Sequence, residues 1–237
     1  DDLVAAAKCF ASAGTPAEFV AATKAARLAA TPAPADLAVR DDALQCLAPE
    51  ECLRQFRATK LLAVRDQEGG DGGERMGIQV VRVPFAEVNE AWEKADRDES
   101  RAVADRWQKG AARIEGVDRS TLETSAAMYL GMKALLHKHG ASGITINCLG
   151  GFYGGHLHAY PCLGFHELNN EGLVGGCECD VRSAATMLAG TILTQGRPGY
   201  ISDPVLDTSK RQIIYAHCVA STKVLGPDGP ANPFEIL

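Results

Sequence analysis

"GGCECDVRSAATMLAGTILTQGRPGYISDPV" (residues 175–205) decides how this chain is read. It begins inside "LVGGCE" (173–178), a short apolar run bounded like a buried strand. "DVRSAATMLAGTILTQG" follows with apolar residues at helical spacing, and Asp180 stands where an N-terminal carboxylate accepts from the first free amides. "PGYISD" reads as a further strand. Strand, helix and strand form a right-handed crossover, so both strands run the same way. Glu178 then ends one strand and Asp203 the next, at one edge of a parallel sheet whose strands lie about 4.8 Å apart. Open sheets of this kind bind ligands beyond the carboxyl ends of their strands. The expectation is two carboxylates in one cleft. In a strand, Cys177 and Cys179 share the opposite face from Glu178 and pack inwards.

Working outward, "KLLAV" (60–64), "GIQVVRV" (77–83) and "GITINC" (143–148) also read as strands. "RDQEGGDGGER" between the first two has the glycines and charges of a mobile loop. Residues 84–116 fit two helices with a break near Asp96 to Ser100. "DRSTLETSAAMYLGMKALLHKHG" (118–140) fits one long helix, capped at Asp118 or Ser120 and stopped at Gly140. The loop "LGGFYGGHLHAYPC" leads into a short helical or turn segment, "LGFHELNNEG" (163–172), and "QIIYAHCVAS" (212–221) reads as the last strand, with His217 near its end. The fold class expected is α/β: a doubly wound, mostly parallel sheet with flanking helices. Residues 1–58, rich in Ala and broken by "TPAPAD", form a helical lead-in. Residues 59–198 form the sheet domain, and 199–237 begin a β-rich C-terminal domain of a longer protein.

Bulk properties narrow the function. Hydrophobic residues make up 46% and charged residues 23% of 237, the mix of a soluble globular protein. A formal net charge of -6 argues against nucleic acid or an anionic membrane as the main partner. No apolar run approaches the length of a spanning helix, and no signal peptide is expected. The eight cysteines are scattered, and a chain with this much core needs no disulfide staples. A reduced, cytoplasmic protein is the expectation.

Glu178, Asp203 and His217 make a mixed oxygen and nitrogen set, suited to a divalent ion such as Mn²⁺. Plainer roles exist for each: a solvated strand end, a turn before Pro204, a satisfied core histidine. Cys177 and Cys179, with His156, His158, Cys162 and His166, are raw material for zinc, but their spacing departs from structural zinc motifs. "LGGFYGG" lacks the residue order of a phosphate-binding loop. Phe152, Tyr153, His156 and His158 lie in a glycine-rich loop after a strand. They either face a polar ligand such as a sugar or belong to an ordinary surface loop.

"YPCLGFHELNNEGLVGGCECDVRSAATMLAGTILTQGRPGYISDPV" resembles the metal-dependent aldose–ketose isomerases of the L-fucose and L-arabinose isomerase superfamily. The shared pattern is a Pro-Cys-like turn, an N-x-x-G segment, a Glu followed closely by an Asp that opens a helix, and a later acidic residue. Glu178 and Asp203 match the two acidic metal ligands, and "YAHC" resembles an arabinose-type segment in which His217 matches a histidine ligand. The resemblance implies a Mn²⁺-dependent enzyme that interconverts an aldose and a ketose through an ene-diol. Glu178 and Asp203 would be ligands and the acid/base pair. It also implies a homo-oligomer, trimeric or hexameric, and a further histidine ligand in a later domain that no residue here supplies. Two alternatives stand beside it: a non-catalytic relative that binds a carbohydrate or a protein partner, and a zinc hydrolase using His156, His158 and Cys162.

Overall fold

The computed structural model of the protein describes residues 45–218 and 220–237. The lead-in expected over 1–58 therefore lies outside the described residues up to Leu44. The described residues fall into two compact units, Gln45–Ser202 with His217–Leu237, and Asp203–Ala216.

The larger unit is built on a five-stranded sheet. Its strands are β1 (Lys60–Val64), β2 (Gly70–Arg75), β3 (Ile78–Arg82), β5 (Gly143–Ile146) and β6 (Val174–Cys177), with β4 (Arg113–Ile114) elsewhere. The order is β2-β3-β1-β5-β6. β3, β1, β5 and β6 are parallel, and only β2 runs antiparallel, against β3. The chain moves from β1 to one side and then, at β5, to the other. This reversal is the place where doubly wound sheets open a crevice beyond their carboxyl ends.

Alternation along β1 explains the two layers. Leu62 and Val64 face one side with Ile144, Ile146 and Cys177. That side is covered by α2 (Phe85–Glu93), α3 (Arg97–Gly110), α4 (Arg119–His139) and α6 (Cys162–Asn170), which contribute Val88, Trp107, Met128, Met132 and Phe165. Leu61, Ile78 and Val174 face the other side, under α1 (Pro49–Ala58) and α7 (Val181–Leu193), with Phe56 and Leu188. The central strands β1, β5 and β6 are buried on both faces, as parallel strands between helix layers must be.

The helix termini follow local chemistry. Asp96 caps α3 by accepting from the Glu99 amide, and Asp118 caps α4 by accepting from the Thr121 amide. Gly140 ends α4 at φ 61°, a left-handed position that costs glycine little. Asp180 caps α7 by accepting from the amides of Arg182 and Ser183.

Four expectations change. Residues 70–75 are a strand, not a loop. β2 is a glycine-rich, exposed edge with a bulge between Asp71 and Gly73, so it carries no apolar alternation to read. "LGGFYGG" is not all loop: Cys148–Tyr153 winds into α5, capped by Asn147 accepting from the Gly150 amide. "PGYISD" forms no strand, so the sheet ends at β6 and the second strand of the expected crossover is missing. Pro198 and Pro204, which lack an amide hydrogen, bracket that segment. Finally, the strand expected over 212–221 stops at Tyr215.

That strand, β8 (Gln212–Tyr215), belongs to the smaller unit, where it pairs antiparallel with β7 (Pro204–Asp207). Asp207 closes this hairpin by accepting from the amides of Ser209 and Lys210. Antiparallel strands near the C-terminus are thus present, although only two residues of each of β4 and β9 (Glu235–Ile236) join the larger unit's second ladder.

Candidate functional site

β6 delivers Glu178 just past its carboxyl end, and the chain then turns sharply. Glu178 and Cys179 both have left-handed backbones, with φ 64° and 53°. L-residues with side chains adopt this conformation reluctantly. It is held from both sides: the Cys179 amide donates to the Ile146 carbonyl at 3.0 Å, and Asp180 caps α7. The turn ends strand alternation at Cys177. The two cysteines therefore do not share a face. Cys177 packs in the large core, and Cys179 packs on the other side with Ala63 and Val80.

His217 approaches Glu178 from the C-terminal segment. Its Nε2 lies 3.9 Å from Glu178 Oε1, with the imidazole largely buried and the carboxylate half-exposed. α6 anchors the following stretch. Asn170 Oδ1 accepts from the amides of Thr222 and Lys223 and from the Ser221 hydroxyl, at 3.0, 2.9 and 2.6 Å. His166 Nδ1 donates to the Ala220 carbonyl at 2.8 Å, and its Nε2 accepts from Asn170. Tyr200 donates to the His217 carbonyl at 3.4 Å. The "HELNN" segment is thus the clamp that holds His217 in place.

Glu178 and His217 line one small cleft of about 180 Å³, together with Cys148, Leu149, Phe152, Tyr153, Tyr160, Pro161, Cys162, Cys177 and Cys218. Phe152 stacks on Tyr160 with ring centroids 3.9 Å apart. Tyr153 meets Phe152 edge-on and is 84% exposed, so an aromatic rim stands open to solvent beside the carboxylate. Larger depressions occur, including one of about 540 Å³ between α2 and α4, but they are open and lined by side chains such as Glu87, Lys133 and Lys138.

Four of the seven residues expected at the site, Glu178, His217, Phe152 and Tyr153, therefore share this cleft. His156 and His158 lie elsewhere: His156 stacks on Phe85 at 5.8 Å, and His158 stands edge-on to Trp92 and 4.0 Å from Glu93. They do not join Cys162, which lines the cleft. Asp203 opens the smaller unit, immediately before β7.

Sequence reasoning passed over Tyr160 and the gathering of Cys148 and Cys218 with Cys162 and Cys177, the latter two having been weighed for zinc with other partners. Cys177 hydrogen-bonds Cys148, Cys162 and Cys218, and the Cys148 and Cys177 bond draws the Cys148 thiol down to about 6. Cys218 is drawn down to about 2, first by the Cys162 thiol and then by Cys177, while Cys162 is pushed up to about 12 and Cys177 is also raised. The described cysteines are all free of disulfides.

Comparison with known proteins gives a distant relation. The chain is 27% identical over 104 residues to a sulfoquinovose isomerase of Alkalicoccus urumqiensis, a match covering 44% of this chain. The match covers 23% of that relative's length. No family model matches the chain. Among the described residues, no helix is long and apolar enough to cross a membrane.

Proposed function

We propose that this chain carries part of the active site of a sugar isomerase that interconverts an aldose and a ketose. The observation that carries this reading is Glu178. A carboxylate sits in a left-handed turn just past the carboxyl end of a parallel strand, facing an imidazole in a cleft rimmed by exposed aromatic rings. The distant similarity to a sulfoquinovose isomerase supports the same class of chemistry.

Isomerisation moves a proton between adjacent carbons, through an ene-diol, and needs a base on one side and an acid on the other. Glu178, half-exposed and able to reach the mouth of the cleft, takes or returns that proton, with Asp203 as its partner. The exposed rings of Tyr153 and Tyr160 offer a platform for the less polar face of a sugar ring.

Glu178, Asp203 and His217 would hold a Mn²⁺ ion, and their oxygen-rich donors with one imidazole fit that ion. When bound, the ion polarises the sugar carbonyl and stabilises negative charge on oxygen. In this reading the chain acts within a homo-oligomer.

The test is ketose formation from a panel headed by sulfoquinovose and including pentoses and 6-deoxyhexoses, with and without Mn²⁺. It uses the longest form of the protein that carries this chain. Turnover should require Mn²⁺ and fall by at least about 10³-fold in Glu178→Gln, as expected when an acid/base group is lost. Full turnover in that variant would remove Glu178 from the chemistry. A folded protein that binds a sugar equally well with Gln at 178, yet converts none, would instead be a binding relative.

A further inference from the structure

Isomerase chemistry at Glu178 leaves four thiols of the same cleft without a task. Cys148 begins α5, Cys162 begins α6, Cys177 ends β6 and Cys218 follows His217, so four separate segments bring them together. Cys177 Sγ lies 3.7 Å from Cys218 Sγ. His217 Nδ1 lies 3.6 Å from Cys218 Sγ. Cys177, His217 and Cys218 each place a donor atom within 4.8 Å of the other two.

We propose that Cys177, Cys218 and His217 Nδ1 supply three ligands of a tetrahedral site for a thiophilic divalent cation, zinc above all, with the fourth position left to a further donor. The spacing carries the argument. Zinc binds thiolate at about 2.3 Å and imidazole at about 2.0–2.1 Å, so a tetrahedron has sulfur–sulfur edges of about 3.75 Å and sulfur–nitrogen edges of about 3.55 Å. The observed edges of 3.7 and 3.6 Å match both. Packed thiols alone also meet near 3.7 Å, but packing does not require an imidazole nitrogen at the matching edge.

The surroundings agree. A zinc-bound histidine commonly turns its other ring nitrogen towards a carboxylate, which fixes tautomer and orientation. Here Nε2 turns towards Glu178, 3.9 Å away. The ligands are also preorganised: β6 fixes Cys177, and Asn170 and His166 clamp the segment after Cys218. This site differs from a zinc set of His156, His158 and Cys162, because those histidines pack against Phe85 and Trp92. It stands whether or not the protein isomerises sugars.

The test titrates the reduced, metal-free full chain with Co²⁺ and follows the thiolate-to-cobalt charge-transfer absorption. The band should saturate at one equivalent and disappear when Zn²⁺ is added. Cys218 is exposed, so Cys218→Ser should fold, and it should weaken Co²⁺ and Zn²⁺ binding by roughly ten-fold or more. Glu178→Gln should keep the band, which separates this site from the isomerase reading. The proposal is overturned by the absence of a charge-transfer band, by a band unchanged in Cys218→Ser, or by a Cys177–Cys218 disulfide in protein kept under reductant.

Discussion

Glu178 shows how one backbone angle can shape a site. At φ 64° a residue with a Cβ is held at a cost of roughly 1–2 kcal/mol, and Cys179 at φ 53° adds to it. Such strain persists where the surroundings over-determine it, here through the bond from the Cys179 amide to Ile146 and the cap at Asp180. Its effect is to swing the carboxylate out of the sheet and towards His217. Glycine adopts this conformation freely, whereas alanine does not. Glu178→Gly should therefore be more stable than Glu178→Ala by about 1 kcal/mol in chemical denaturation, with both variants inactive as isomerases. Equal stability would mean that the turn carries no strain. The place of Glu178 just past a strand end was legible from the apolar run before it. Its left-handed backbone was not, because residue patterning reports which face a side chain takes only while a strand continues.

Helices and strands were legible where burial imposes a period. The spans of α3, α4 and α7 and their caps at Asp96, Asp118 and Asp180 follow apolar spacing and the chemistry of free amides. Elements without a buried stripe were missed or overrun: β2 is exposed and reads as a loop, β7 is exposed and was not expected, and β8, equally exposed, stops at Tyr215 within the longer strand expected. α5 is short and rich in glycine. Close helix contact was equally hidden. Gly131, in the middle of α4, lies under α2, and a Cβ there would meet the Trp92 amide nitrogen at 2.9 Å and Ala91 backbone carbon at 3.0 Å. Backbone cannot swing aside as a flexible side chain can. Gly131→Ala should force α2 outwards and cost about 1–3 kcal/mol, the usual range for overpacking. A lower urea midpoint with an unchanged slope would register it. An unaltered midpoint would mean that the two helices separate freely.

At the scale of the molecule, His217 belongs to two prospective ion sites, and the chemistry of its ring decides how they relate. A neutral imidazole offers one lone pair and one N–H. With Nδ1 bound to a cation among the thiols, Nε2 carries the proton and can only donate, towards Glu178. With Nε2 given to Mn²⁺ beside the carboxylates, Nδ1 carries the proton and turns it towards Cys218. Holding both ions at once would require an imidazolate, a far more basic species. The two sites should therefore exclude one another through this one side chain, which makes zinc an antagonist of the manganese-loaded state. One equivalent of Zn²⁺ added to the reduced, Mn²⁺-loaded protein should weaken Mn²⁺ binding by ten-fold or more, a coupling of about 1.4 kcal/mol. The electron paramagnetic resonance signal of aqueous Mn²⁺ should rise as the bound ion is released. Cys218→Ser should abolish the effect while leaving Mn²⁺ affinity in place. If Mn²⁺ stays bound while the thiol site demonstrably fills, His217 serves the thiols alone, and the manganese ligands must be sought among other donors.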